Sequence, residues 1–286
     1  MASYYKHSGK FAPQGPILGL LGGIVISIPA AYFYDYALFA LSVAKLRIFL
    51  PFALGLLLGA VCGALMSLGK VRSKSVAAIV GFAVSSFGLY VSWLGWIGVI
   101  CLNRHVGCSA SLFRPLEAWK VLLVVNPQGT WSLSGTGPMH GAMLWLVWAF
   151  EALAVLAFGT MAAMGLVLRR PYCERCGQWC KKQFKLNFAP SLSPNDLKAQ
   201  LESGDIRKLE KLAPGNKKQP HYRIHLHSCN ACHQLNTLTL QQIFPRNILT
   251  LMNKLLLTAD QAAILRNIEM NHRAATAASA VPYSAK

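Results

Sequence analysis

The sequence predicts an α-helical membrane protein, a four-span bundle, with a small α+β soluble tail. Three observations predict it. The 286 residues are 54% hydrophobic and 13% charged, too apolar for an ordinary soluble protein. Charge is also divided unevenly. Residues 1–170 hold three carboxylates (Asp35, Glu117, Glu151) against 12 Lys/Arg, while residues 171–286 hold seven against 16, so each part is near +9 but only the second has soluble-protein charge density. Finally, the run Met143–Leu168, 26 residues with Glu151 as its single charge, closes on Arg169-Arg170-Pro171. It gives way at once to Cys173-Glu-Arg-Cys176, with Cys229-Asn-Ala-Cys232 far downstream. These boundaries predict a transmembrane domain over 1–170, a soluble domain over 171–273 and a disordered end over 274–286.

Taken in order, span one runs over Ile17–Ser42, span two over Ile48–Leu68, span three over Val76–Cys101 and span four over Met143–Leu168. Each is long enough for a hydrocarbon core of about 30 Å at about 1.5 Å per residue. The N-terminal MASYYKHSGKFAPQGP precedes an apolar run longer than a signal-peptide core and without a small-residue cleavage site, which predicts an uncleaved first span. Links at 43–47 and 69–75 are short enough to make consecutive spans antiparallel neighbours. Gly55, Gly59 and Gly63 on span two, and Gly81, Ser85, Gly88 and Ser92 on span three, recur at helical spacing. Small residues let helix axes approach where lipid offers no hydrophobic drive. Packing inside the bundle is the first reading of these faces, and a homo-oligomer is the alternative.

The third link contains Leu116–Val125, apolar but too short to span, which predicts an interfacial or re-entrant segment. Trp131 in the following turn-rich stretch is a candidate interface anchor. Cys101 and Cys108 flank the start of this link and would pair in an oxidising compartment, or remain buried thiols. Lys/Arg near the span ends set the orientation. Lys6, Lys10, Lys70, Arg72, Lys74, Arg169, Arg170, Lys181, Lys182 and Lys185 outweigh Lys45, Arg47, Arg104, Arg114 and Lys120, which puts both termini in the cytoplasm. The overall +18 is then read as topology plus attraction to anionic lipid, ahead of nucleic-acid binding.

In the tail, alternation over Gln183–Phe188 predicts a strand, and Ser193-Pro-Asn-Asp196 opens a helix. Leu197, Leu201, Ile206, Leu209 and Leu212 predict two short helices broken at Ser203-Gly204. Tyr222, Ile224 and Leu226 alternate with polar residues in a strand running into Cys229, and Leu235–Ile243 is its return. Residues 246–257 and 259–271 are expected as helices, the second capped by Thr258 with Gln261 three residues on.

Cys173, Cys176, Cys229 and Cys232 are the candidate metal ligands. Two Cys-x-x-Cys knuckles at strand ends offer four thiolates to a tetrahedral Zn²⁺. Over roughly 173–243 the tail resembles a zinc ribbon, with the helices at 193–213 as an insertion between the knuckles. A closed Cys₄ site implies structural zinc and no catalysis. Cys180 shares strand parity with Phe184 and Leu186, so it is expected as a core cysteine, and His225, His227 and His233 are expected to face solvent. Asp35 and Glu151 are the intramembrane acids. Asp35, among Tyr32, Tyr34 and Tyr36, is expected in an aromatic interface belt; Glu151 calls for a buried partner such as His140, a Tyr hydroxyl or a loop Arg.

No phosphate loop, nucleophile elbow, HExxH or dinucleotide fingerprint occurs. The N-terminal Tyr4-Tyr5-Lys6-His7-Ser8-Gly9 ahead of a span, and Asn126-Pro-Gln-Gly-Thr-Trp-Ser132 ahead of Trp145, Trp148 and Glu151, resemble uncharacterised bacterial inner-membrane proteins. That resemblance implies a place in the inner membrane and names no activity. The expectation is a non-enzymatic membrane protein whose tail docks a protein partner or supports an assembly. A transporter or channel component using Glu151 and Asp35 is the alternative, and a thiol-disulfide oxidoreductase comes third.

Overall fold

The computed structural model describes residues 2–41, 44–103, 114–130, 137–216 and 219–279. Two compact units emerge: Ser8–Arg169, and Met1–His7 together with Arg170–Lys286.

The first unit is helical: α1 (Gln14–Ala40), α2 (Ala44–Arg47), α3 (Leu50–Leu68), α4 (Lys74–Asn103), α5 (Pro115–Gln128) and α6 (Ala142–Val167). Four of these, α1, α3, α4 as far as Ile100 and α6, are long and apolar enough to cross a membrane. Small residues decide their packing. A Cβ added at Gly55 would lie 2.6 Å from the Val155 carbonyl oxygen, and one at Gly63 2.8 Å from that of Ala163; at Gly59 it would collide with Gly159 outright. So α3 and α6 meet backbone to backbone, and dispersion contacts replace the missing hydrophobic drive. Gly81 of α4 abuts Ala163, and Ser85 abuts Gly159, so the faces singled out from the sequence are used inside the chain. On α1 the buried positions Gly15, Gly19, Gly23, Ser27, Ala31 and Asp35 recur every fourth residue. The amphipathic α5 lays Ala118 and Leu122 against Ile97, Leu144 and Trp148, and the Asn126 amide donates to the Gly141 carbonyl at 3.1 Å.

The second unit is built on an antiparallel meander, β3 (Lys181–Phe188), β4 (His221–Ser228), β5 (Asn236–Ile243) and β6 (Ile248–Leu257), in that spatial order. A two-stranded ribbon of β1 (Tyr172–Cys173) and β2 (Gln178–Trp179) precedes it. Alternation places Phe184, Leu186 and Phe188 opposite Leu226, Ile224 and Tyr222, and Ile224 and Leu226 opposite Leu240 and Leu238. This face is covered by α7 (Pro194–Glu202), a 3₁₀ turn (Ile206–Lys211) and α8 (Ala259–Ser279), through Leu197, Leu201, Ile206, Leu209, Leu265 and Ile268. The expected caps form. Ser193 Oγ accepts from the Asp196 amide at 3.1 Å, and Thr258 and Gln261 exchange a capping box, each amide bonded to the other's side chain.

Three expectations need correction. Residues 248–257 form a strand, where a helix was expected over 246–257. A bulge opposite Leu238–Leu240, with Lys254 in the left-handed region at φ 59°, spaces the buried Met252, Leu255 and Leu257 by three and then two residues. The bulge thereby imitates helical periodicity. Helix α8 continues to Ser279, past Ala274 where disorder was expected, because Ala-Ala-Thr-Ala-Ala is a strong helix-forming run; residues 280–286 lie outside the described residues. Third, the N-terminal residues are part of the tail. Tyr4 bridges Leu255, the Tyr5 amide donates to the Lys254 carbonyl at 2.9 Å, and the Leu256 amide donates to the Ser3 carbonyl at 2.9 Å. The Tyr5 hydroxyl accepts from the Tyr172 amide at 2.9 Å and donates to its carbonyl at 3.1 Å. Residues 3–5 thus cover the free edge of β6.

Candidate metal centre

The two knuckles are built alike. In the first, the ribbon β1–β2 turns through Cys173-Glu-Arg-Cys176-Gly177, with the Gly177 amide donating to the Cys173 carbonyl at 2.9 Å and Gly177 at φ 64°. In the second, β4 turns into β5 through Cys229-Asn-Ala-Cys232-His233, with the His233 amide donating to the Cys229 carbonyl at 3.0 Å and His233 at φ 52°. Each turn needs a left-handed residue directly after its second cysteine. Glycine supplies it freely in one, and His233 is held there against a cost of about 1–2 kcal/mol in the other.

The turns bring Cys173, Cys176, Cys229 and Cys232 together so that all four Sγ atoms lie within 4.8 Å of one another. Cys173 Sγ and Cys232 Sγ are 3.7 Å apart. That is far beyond a disulfide bond of about 2.05 Å. A Zn–S bond of about 2.3 Å in a tetrahedron sets the sulfurs about 3.8 Å apart, so the spacing suits a tetrahedral ion at the centre. Four thiols, without a carboxylate or imidazole among them, are a soft donor set of the kind zinc or iron takes.

Electrostatics divides the four. For Cys229, burial works against the thiolate, but it is outweighed by the Cys232 amide, the Gln178 side chain and the Ala231 amide, which bring the thiol down to about 6. The Gln234 amide, first among its neighbours, lowers Cys232. In the other knuckle, burial pushes Cys173 up and hydrogen bonding to Cys232 pushes Cys176 up to about 12. Four thiolates packed this closely would repel one another, and a divalent cation would remove that conflict.

Around the sulfurs, Gln178 Nε2 donates to Cys229 Sγ at 3.4 Å, and Arg175 hydrogen-bonds Gln234, joining the two knuckles across their rims. Sequence reasoning missed both, since nothing marks a single glutamine until the fold brings it to the thiol. Cys180 is 1% exposed and packs beside Cys173 and Cys229 without joining the four-sulfur set, as expected of a core cysteine. Burial first, then the charge of Cys229, Cys173 and Cys232, pushes its thiol up to about 12. Of the three histidines expected to face solvent, His233 is exposed, and His225 and His227 are half-buried. The Nδ1 atom of each is buried without a hydrogen-bond partner, and His225 Nε2 sits 3.0 Å from Gln241 Oε1. Burial, then Lys182 for His225 and His225 for His227, holds both near 4.

Of the remaining candidates, Cys108 and the side chain of Cys101 lie outside the described residues, as does Trp131. Asp35 and Glu151 border one cavity within the helical unit. Asp35 is 5% exposed, while its neighbours Tyr32 and Tyr36 are 73% and 66% exposed, so the aromatic-belt expectation for it is overturned. The every-fourth small-residue register of α1, which Asp35 continues, was the sequence signal for its burial. Tyr34 lines the same cavity as Glu151, and His140 is not among the lining residues.

Set against known protein families, curated proteins and solved structures, the chain matches none. Its chemistry is read from its own residues.

Proposed function

We propose that Cys173, Cys176, Cys229 and Cys232 hold one structural Zn²⁺ in a ribbon-like tail. In this reading the chain is a multi-pass inner-membrane protein with both termini cytoplasmic, of the kind its sequence resembles. The tail docks a protein partner or supports a membrane assembly, and no catalytic step is assigned to it. The observation that carries the reading is the convergence of four sulfurs from two segments remote in sequence, with all Sγ atoms within 4.8 Å. A dithiol redox centre needs one reactive pair. Here two pairs close on a common point, which favours a saturated tetrahedral site with no open position. Residues 3–5 pairing with β6 keep the N-terminus with the tail, as an even number of crossings requires.

The test is metal analysis of the full chain purified in detergent under reducing conditions, followed by co-purification from native membranes of wild type and Cys229→Ser. About one zinc per chain, with a partner retained by wild type and lost by the variant, supports the reading. A folded protein without metal refutes the zinc assignment. Membrane-impermeant thiol labelling of cysteines introduced at Tyr5 and Gly215 in intact cells tests orientation, and the expected result is no labelling at either.

A further inference from the structure

The helical unit holds a second group of chemistry-bearing residues, independent of the metal centre. A cavity of about 40 Å³ is bordered by Tyr34 and Asp35 from α1, Ser92, Trp93 and Trp96 from α4, and Trp148 and Glu151 from α6. Three helices thus contribute to it, and two of them bring a carboxylate. Asp35 is 5% exposed, and its Oδ1 is buried without a hydrogen-bond partner. Glycine at position 95 of α4 leaves room for the carboxylate in this position, since an added Cβ would strike Asp35 Oδ2. Trp93, Trp96 and Trp148 are packed edge to face around one another, with ring centroids 5.3 to 6.1 Å apart.

Every polar or aromatic group on this wall can offer electron density: two carboxylates, the lone pairs of two hydroxyls, and indoles whose faces attract cations. Among the described residues, no Lys, Arg or His lines the cavity beside the two acids. A carboxylate oxygen buried without a partner costs free energy unless something fills its coordination. Size narrows the choice. The volume of about 40 Å³ has room for a small ion or a few waters. The oxygens this wall offers as ligands, Asp35 Oδ1, the two of Glu151 and the two hydroxyls, are five, short of the six to eight that Ca²⁺ takes.

We propose that the cavity bounded by Asp35, Glu151 and the three tryptophans binds one small monovalent cation. Asp35 Oδ1 and the Glu151 carboxylate are its charged ligands, the Ser92 and Tyr34 hydroxyls its neutral ones, and Gly95 is a positioning residue that makes room for Asp35. Glu151 also borders an apolar cavity of about 280 Å³ with Met143, Val147 and Phe150, which gives its carboxylate a second side.

The tryptophans provide the readout. The full chain in detergent is titrated at fixed pH with NaCl, KCl and NH₄Cl, against choline chloride at matched ionic strength, while Trp emission is followed. The expected result is a saturable change with at least one of the small cations and none with choline. Asp35→Asn and Glu151→Gln should each weaken that response at least tenfold. Gly95→Ala should weaken it too, although it removes no charge, and it keeps the test decisive if a carboxylate variant fails to fold. Zinc content should be the same in all three variants, which separates failure here from failure of the metal reading. An equal response to choline, an unchanged response in folded variants, or a response to pH alone would overturn the proposal; in the last case the acids hold protons only.

Discussion

Replacement of Cys229 by Ser is the sharpest test of the metal centre. The Cys173–Cys232 sulfur separation of 3.7 Å matches the edge of a tetrahedron with metal–sulfur bonds of about 2.3 Å, and all four sulfurs lie within 4.8 Å of one another, close enough to hold one metal ion. Structural zinc contributes about 10–16 kcal/mol of apparent binding energy near neutral pH, against about 5–15 kcal/mol for the net stability of a typical domain. Cys229 Sγ is also the atom toward which Gln178 and two amides are aimed, so the hydroxyl inherits a pocket shaped for a thiolate. Cys229→Ser should therefore drop zinc well below one per chain and abolish the cooperative melting of the tail, while the spans stay inserted. Cys180→Ser is the matched control. Cys180 is 1% exposed, and exchanging its sulfur for a buried hydroxyl should cost about 1–3 kcal/mol with zinc retained. Elemental analysis and thermal melts of the purified full chain decide between them. Zinc retained in Cys229→Ser and lost in Cys180→Ser would show that the fourth ligand had been misassigned.

Three further outcomes are expected. Tyr5→Phe removes both hydrogen bonds to Tyr172 and should cost about 1–2 kcal/mol, seen as faster hydrogen exchange at the amides of residue 5 and Leu256. Gly59→Leu drives a side chain into Gly159 and should lower the melting temperature of the helical unit in detergent, whereas Gly98→Leu, where a Cβ meets nothing within 4 Å, should leave it within experimental error. His225 is held near 4, below an ordinary value of 6.5, so the unfolded chain takes the proton first; its contribution is complete above about pH 6.5 and is lost as pH falls toward 4. His225→Gln should flatten that part of the stability profile when compared with wild type at equal zinc content.

How much of this was legible in the sequence differs by element. Spans announce themselves because lipid demands an uninterrupted apolar run, and the glycines at 55, 59 and 63 named the face of α3 that meets α6. The knuckles were legible because Cys-x-x-Cys carries its own bite distance. Asp35 was misplaced because its tyrosine neighbours were weighed and its register with Gly15, Gly19 and Gly23 was not. The strand β6 was misread because its bulge at Lys254 breaks the two-residue period by which strands are recognised. Residues 3–5 carry no local signal at all. Their partner lies some 250 positions away, and pairing over that distance is a property of the folded sheet alone.

That last pairing has a consequence for biogenesis. Residues 3–5 precede, and the strand they complete follows, all four helices long and apolar enough to cross a membrane. The sheet can close only if the chain has crossed the bilayer an even number of times. A nascent chain that skipped or added one crossing would strand Ser3–Tyr5 on the far side and leave the β6 edge open to other strands. If all four candidate helices cross, the N-terminal clasp would work as a parity check on insertion, since only an even number of crossings lets the chain seal its own sheet edge.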